Sequence, residues 1–227
     1  MEHRTTPDLT KLPVIGFEGV DGAGKDFAIK LLKTHFEQQG VPVVVAESIP
    51  YEFFVDKAHS SQWYNLHNVN IRYMQFLAYE VNNYYKNIQP FEGKAVVLVN
   101  RFIPSCFAYN SLEPITGFTD AMKEMMRVLC EEFYKPDVTF WFDVPNEVLL
   151  DRFARTRQHE KTPDLTFVDK VRAQYGLFQE KYGIRYSMIK IDGTMTAERT
   201  LNEMLQIIDS IINELDTVGT EAGYEVL

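Results

Sequence analysis

The stretch VIGFEGVDGAGKDF, residues 14–27, constrains the fold more than any other part of this 227-residue chain. Val14 to Phe17 form a short apolar run that leads directly into Gly19, Gly22, Gly24 and Lys25. Phe27, Leu31, Leu32 and Phe36 follow at helical spacing, and Gly40 supplies a stop. A strand, a glycine loop and a helix in that order make a cradle for phosphate. The glycines let successive backbone N–H groups turn toward an anion, the helix adds its positive end, and the lysine adds a mobile cation. Gly19, Gly22, Ala23, Gly24 and Lys25 are therefore expected to bind nucleotide phosphates. The residue after the lysine is Asp26, where the usual G-x-x-x-x-G-K pattern carries Ser or Thr.

The rest of the chain repeats the alternation of strand and helix. Val41 to Ala46 is an unbroken β-branched run, as expected of a strand covered on both faces; Lys94 to Asn100 reads as a further buried strand, and Val138 to Asp143 and Ser187 to Ile191 as two more strands. Helices are expected at about Lys25 to Gln39, Asn70 to Ile88, Asp120 to Tyr134, Asn146 to Arg155 (with Asn146 as N-cap), Phe167 to Tyr182 and Ala197 to Leu215. Residues 50–70 show no clean period, Gln158 to Leu165 read as a polar loop, and the tail after Asp216 as frayed. The fold class is α/β: a parallel sheet flanked by helices, in one domain spanning residues 1–227 with an ordered core at about 13–215.

Composition excludes several classes. Net charge is −9 and pI about 5.1, a balance that disfavours nucleic acid and anionic membrane as partners, although a local cluster of Arg and Lys still suits an anionic small molecule. Cys106 and Cys130 have no metal-ligand spacing and read as reduced packing thiols. No apolar run approaches the ~20 residues of a membrane span, and MEHRTTPDLTKLP lacks the apolar middle of a signal peptide, so the expected location is cytoplasmic.

Four segments together resemble a family. FEGVDGAGK (17–25), RFIPSCFAYN (101–110), PDVTFWFDVPNEVLLDR (136–152) and VRAQY (171–175) are similar in order and spacing to thymidylate kinase. The resemblance implies a P-loop kinase fold with a five-stranded parallel sheet and a lid at about 152–166. It implies transfer of the ATP γ-phosphoryl group to a nucleoside 5′-monophosphate, dTMP by default, with Mg²⁺, in a cytoplasmic homodimer. By position, Arg101 would clamp the acceptor phosphate and Asp21 would sit near the acceptor 3′-hydroxyl. Phe76 would stack on the base, Tyr109 would lie against the sugar, and Ser105 and Asn110 would line the base pocket. Arg152, Arg155 and Arg157 look like the arginines of the lid, Arg152 and Arg155 as catalytic groups beside Lys25 and Arg101, and Arg157 toward the nucleotide. The other reading makes Phe76 and Tyr109 ordinary core aromatics and the three arginines a solvated helix end.

The chain departs from the family pattern at three points. Asp26 replaces the loop hydroxyl, and Asn100 replaces the aspartate before Arg101. An amide can donate to a carboxylate, so the two are expected to keep one contact with its polarity reversed. Asp26, with Glu47, then becomes a hard oxygen ligand for magnesium; the other reading is that Asp26 repels phosphate and leaves a weak or dead kinase. Glu80 stands where the family has an arginine that donates to thymine, four residues from Phe76 and thus on the same helix face. Either it faces the pocket and suits a base with a donor, or it faces solvent. An active kinase for dTMP, a kinase for a modified or different small acceptor, and a non-catalytic nucleotide-binding protein all remain open at this point.

Overall fold

The computed structural model describes residues 12–47, 69–110, 128, 131–156 and 163–221. Its strands are β1 (Val14–Glu18), β2 (Val43–Glu47), β3 (Val96–Asn100), β4 (Val138–Asp143) and β5 (Met188–Asp192). They pair in parallel in the order β2-β3-β1-β4-β5. The α-helices are α1 (Lys25–Gln38), α2 (Val69–Asn83), α3 (Ile103–Asn110), α4 (Asn146–Thr156), α5 (Leu165–Tyr182) and α6 (Ala197–Glu221). α1 lies on β1, β2 and β3 and packs against α6, while α3 packs against both α2 and α5.

Register assigns the strand residues to faces. Every residue of β1 is buried, so this strand needs an apolar side chain toward each layer of helices. Phe17 meets Phe140 and Phe142 with ring centroids 6.0 and 6.4 Å apart. Glu18 pairs in register with Trp141, which turns the other way and stacks on Tyr175 of α5 at 6.0 Å. Phe17 pairs with Asn100, and Asn100 with Glu47, so these two polar residues share the Phe17 side and face α1.

Several expected boundaries shift for local reasons. The Asn70–Ile88 helix is α-helical only to Asn83, continues as a π-helical turn over Tyr84–Ile88, and closes in a 3-10 turn over Gln89–Phe91. Pro90 has no N–H and its ring crowds the carbonyl four residues back, so the ladder cannot continue unchanged. α3 was not anticipated. Its Pro104 sits in the first turn, where a missing N–H costs nothing. α6 runs six residues past Leu215, because Gly219 alone costs only ~1 kcal/mol and no proline follows. Asn146 begins α4 but does not cap it: its amide donates to Asp169 at 3.1 Å and its oxygen accepts from Arg172 at 3.0 Å, tying α4 to α5. β2 is an edge strand and is only partly buried, which corrects the expectation of a strand covered on both faces. Most of the Asp120–Tyr134 helix, the Gln158–Leu165 loop up to residue 162, and Cys130 lie outside the described residues; Cys106 is a buried free thiol.

Candidate active site

The loop between β1 and α1 is built for a backbone that side chains would obstruct. Gly19 has φ 134°, and a Cβ there would lie 2.3 Å from the Phe142 carbonyl oxygen. Gly22 has φ 81°, and its Cβ would meet Leu149 and Phe153 at 2.8 Å. Both positions require glycine for conformation and for space. Lys25, the first residue of α1, is buried, and its ammonium donates to the carbonyls of Gly19 and Val20 at 3.0 Å each. Burial and the neighbouring Arg101 lower its pKa from 10.5 to about 7, against the pull of Asp21, Asp26 and Glu18.

Arg152 grips the same loop from outside. It donates to the carbonyls of Gly22 at 3.0 Å and Ala23 at 2.9 Å, and to Gly193 just beyond β5. It therefore fastens the loop to α4 and to the end of the sheet. Arg155 is exposed and paired with Asp151 one turn back at 2.9 Å. Arg157 and the rest of 157–162, the middle of the lid expected at about 152–166, lie outside the described residues.

On the α1 side, Asn100 joins two carboxylates. Its amide nitrogen donates to Asp26 at 3.1 Å and to Glu47 at 2.8 Å. The reversed contact between strand end and loop is present, and Glu47 joins it. Burial raises the Glu47 pKa, with the Asn100 hydrogen bond opposing. The Asn100 carbonyl oxygen is buried and has no hydrogen-bond partner among the described residues. Two carboxylates and an unsatisfied amide oxygen suit a hard, oxygen-seeking cation. Among the described residues no cluster of three or more His, Cys, Asp or Glu side chains is placed to hold a metal ion.

On the α5 side, Arg101 follows β3 directly with φ 69°, a left-handed backbone at a non-glycine residue. Its guanidinium bonds to Asp21 of the glycine loop, lies 5.0 Å from the centre of the Tyr109 ring, and donates to Ser105 at 3.2 Å and Tyr175 at 3.4 Å. Beneath it is Glu18, fully buried. One oxygen of Glu18 accepts from the Phe102 amide at 2.8 Å; the other accepts from the Ser105 hydroxyl and from Tyr175 at 3.2 Å. Burial pushes the Glu18 carboxyl from 4.5 up to about 7, against Ser105, Arg101, Phe102 and Tyr175, which all favour the anion.

Asp21, Tyr109, Val20, Phe153, Phe167 and Val171 line a cavity of about 200 Å³ between the glycine loop and α5. Phe76 is half-buried on α2, and Glu80, one turn later, is 1% exposed. Glu80 thus faces the interior, which removes the solvent-facing reading. The side chain of Asn110, the last residue of α3, lies outside the described set. The structure thus gathers Lys25, Asp21, Asp26, Glu47, Arg101, Ser105 and Tyr109 at the carboxyl ends of β1, β2 and β3, where ligands bind in open parallel sheets. Glu18 and Tyr175 were missed by sequence reasoning. A carboxylate ending an otherwise apolar buried strand was the signal for Glu18. Tyr175 closes the VRAQY segment that carries the family resemblance, and that segment was the signal available for it.

A glycine loop around a buried lysine, facing an arginine held at the end of the next strand, defines a P-loop phosphotransferase. A family model described as thymidylate kinase matches residues 17–200. Thymidylate kinase of Acinetobacter baumannii strain AYE is 28% identical over 207 residues, 86% of this chain and 98% of that protein. Thymidylate kinase of Rickettsia typhi is 27% identical over 173 residues, 76% and 84% of the two chains. The crystal structure of thymidylate kinase from Ehrlichia chaffeensis superposes with a TM-score of 0.59 at 22% identity, over 86% of this chain and 98% of that one, and shares its fold. The chain belongs to the thymidylate kinase family and is a nucleoside monophosphate kinase.

Proposed function

We propose that this enzyme phosphorylates dTMP, using ATP as donor and Mg²⁺ as cofactor. The observation that carries the reading is the ion pair of Arg101 with Asp21, which sets a phosphate-binding guanidinium against the glycine loop in one cleft. The names of the relatives support dTMP as acceptor.

The residues divide the task. Backbone amides of the Gly19–Gly24 loop and the start of α1 receive the donor phosphates, and Lys25 exchanges the carbonyls of Gly19 and Val20 for phosphate oxygens. Arg101 holds the acceptor phosphate, Tyr109 and Asp21 flank its sugar, and Phe76 faces its base. An acceptor phosphate oxygen forms the new bond to the γ-phosphorus as the bond to the β–γ bridging oxygen breaks, and ADP leaves. Asp26 and Glu47 would hold magnesium, with the Asn100 oxygen beside them. The ion supplies neutralisation of charge on the β- and γ-phosphates. The chain's own contribution is orientation and fixed positive charge, which this chemistry chiefly requires. Cytoplasmic location and a homodimer fit this reading; among the described residues no helix is long and apolar enough to cross a membrane.

Initial rates with ATP and Mg²⁺ across dTMP, dUMP, dCMP, dAMP and dGMP test the proposal. Preference for dTMP is the expected result. Transfer to none of the five, or clear preference for a base carrying an exocyclic amine, would overturn dTMP as the acceptor. The second outcome would point to buried Glu80 as the cause.

A further inference from the structure

Arg101 is the group on which the cleft turns, and its shape depends on the last two residues of β1. Its own N–H donates to the Phe17 carbonyl at 3.0 Å, and the next N–H, of Phe102, donates to the Glu18 carboxylate at 2.8 Å. These two bonds bracket the one left-handed residue at the end of β3. The guanidinium is then held by the Ser105 and Tyr175 hydroxyls, themselves 2.7 Å apart, and both hydroxyls rest on the second oxygen of Glu18.

We propose that Glu18 is a positioning residue for Arg101, orienting the guanidinium through Ser105 and Tyr175 and fixing its backbone turn through the Phe102 amide. The proposal rests on the phosphate-binding role given to Arg101 above. A residue kept only to satisfy the Phe102 amide needs one neutral acceptor. Glu18 instead presents a second oxygen to two hydroxyls, each of which also receives an N–H of Arg101. An ionised carboxylate only accepts, so it orders that relay in one sense: Ser105 donates to Glu18, and the Tyr175 hydrogen is shared between Ser105 at 2.7 Å and Glu18 at 3.2 Å. It is also the interior counter-charge for two buried cations, Lys25 and Arg101, in a place where water supplies little screening. A glutamine can keep the Phe102 contact but turns a donor toward the hydroxyls and removes the charge.

The full-length protein with Glu18→Gln tests this by two readouts. In steady-state kinetics the KM for dTMP should rise by about tenfold or more with a fall in kcat, while the KM for ATP stays within about twofold. In NMR, the Nη–H signals of Arg101, assigned by their loss in Arg101→Lys, should broaden or merge as the guanidinium begins to rotate. Unchanged dTMP kinetics together with unchanged Arg101 signals overturn the proposal. So does a variant whose folded fraction falls while its KM for dTMP and its Arg101 signals stay as in the parent. If the parent enzyme transfers no phosphate to dTMP, the assigned function fails, and the arginine signals alone decide the role of Glu18. Should Glu18→Gln fail to fold, Tyr175→Phe removes one hydroxyl of the same relay and is read by the same two measurements.

Discussion

Asn100 and Asp26 are 74 residues apart in sequence and joined by a 3.1 Å hydrogen bond in which the amide donates and the carboxylate accepts. The same amide donates to Glu47, so one side chain sets the separation of two carboxylates. Asn100→Asp should put a third carboxylate among them and weaken binding of MgATP, and Asp26→Thr should replace a charged carboxylate with a neutral hydroxyl that accepts poorly from the Asn100 amide and shifts the Mg²⁺ affinity. Together the two changes restore a donor facing an acceptor, and activity should recover relative to either alone. A double-mutant cycle on kcat/KM and on Mg²⁺ affinity should show a coupling of about 1 kcal/mol or more; additive effects would argue that the residues act separately.

Gly22→Ala tests the loop geometry. The added methyl meets Leu149 and Phe153 at 2.8 Å and forces φ 81° on a residue with a Cβ. Destabilisation of ~1–3 kcal/mol is expected from crowding and strain together. ATP affinity should fall with it. Gly40→Ala is the control: φ is 76° but nothing lies within 4 Å of the new methyl. It should lower the melting temperature slightly and leave ATP binding unchanged.

Arg152 and Arg155 share α4 but should respond differently. Arg152→Ala removes bonds to three loop and strand-end carbonyls, so the KM for ATP should rise about tenfold or more with little change in the KM for dTMP. Arg155→Ala breaks an exposed pair with Asp151, and its effect on stability should be under ~0.5 kcal/mol. A large loss of chemical denaturation midpoint in Arg155→Ala would contradict the exposed pairing.

The stability of the ligand-free enzyme should carry the mark of Glu18. Its carboxyl titrates near 4.5 when unfolded and at about 7 when folded, so between those values the native state binds the extra proton. Stability therefore falls as pH rises from about 4.5 to 7, and the whole penalty is present above 7. Glu18→Gln has no such penalty. The melting temperature of the variant minus that of the parent should grow more positive between pH 5 and pH 8, measured by differential scanning calorimetry. A constant difference would show that Glu18 holds an ordinary pKa.

Much of this site was visible before the fold was. The glycine loop, Lys25 and the Arg101 that ends a strand are local signals, because each depends on a few consecutive residues and their intrinsic conformations. The Asp26–Asn100 contact was legible as a chemical pairing, since an amide can serve a carboxylate. Glu80 was legible as a residue and ambiguous as a direction, and burial resolved it. Arg152 was read as a group for the lid, and its contacts with the carbonyls of Gly22, Ala23 and Gly193 were not legible in the sequence. The helix α3 was hidden by a proline that normally breaks helices but here occupies the first turn.

The order of residues by itself determined the phosphate loop, the alternation of strand and helix, and the presence of opposed carboxylate and amide groups, because backbone conformation and side-chain chemistry are local properties. Only the tertiary structure decided which layer each polar side chain enters. A single step along β1 sends Phe17 to the side of Asn100 and Glu18 to the side of Tyr175, 157 residues away. That choice follows from strand register and the packing of helices on two faces, and it places the anion where it can govern Arg101.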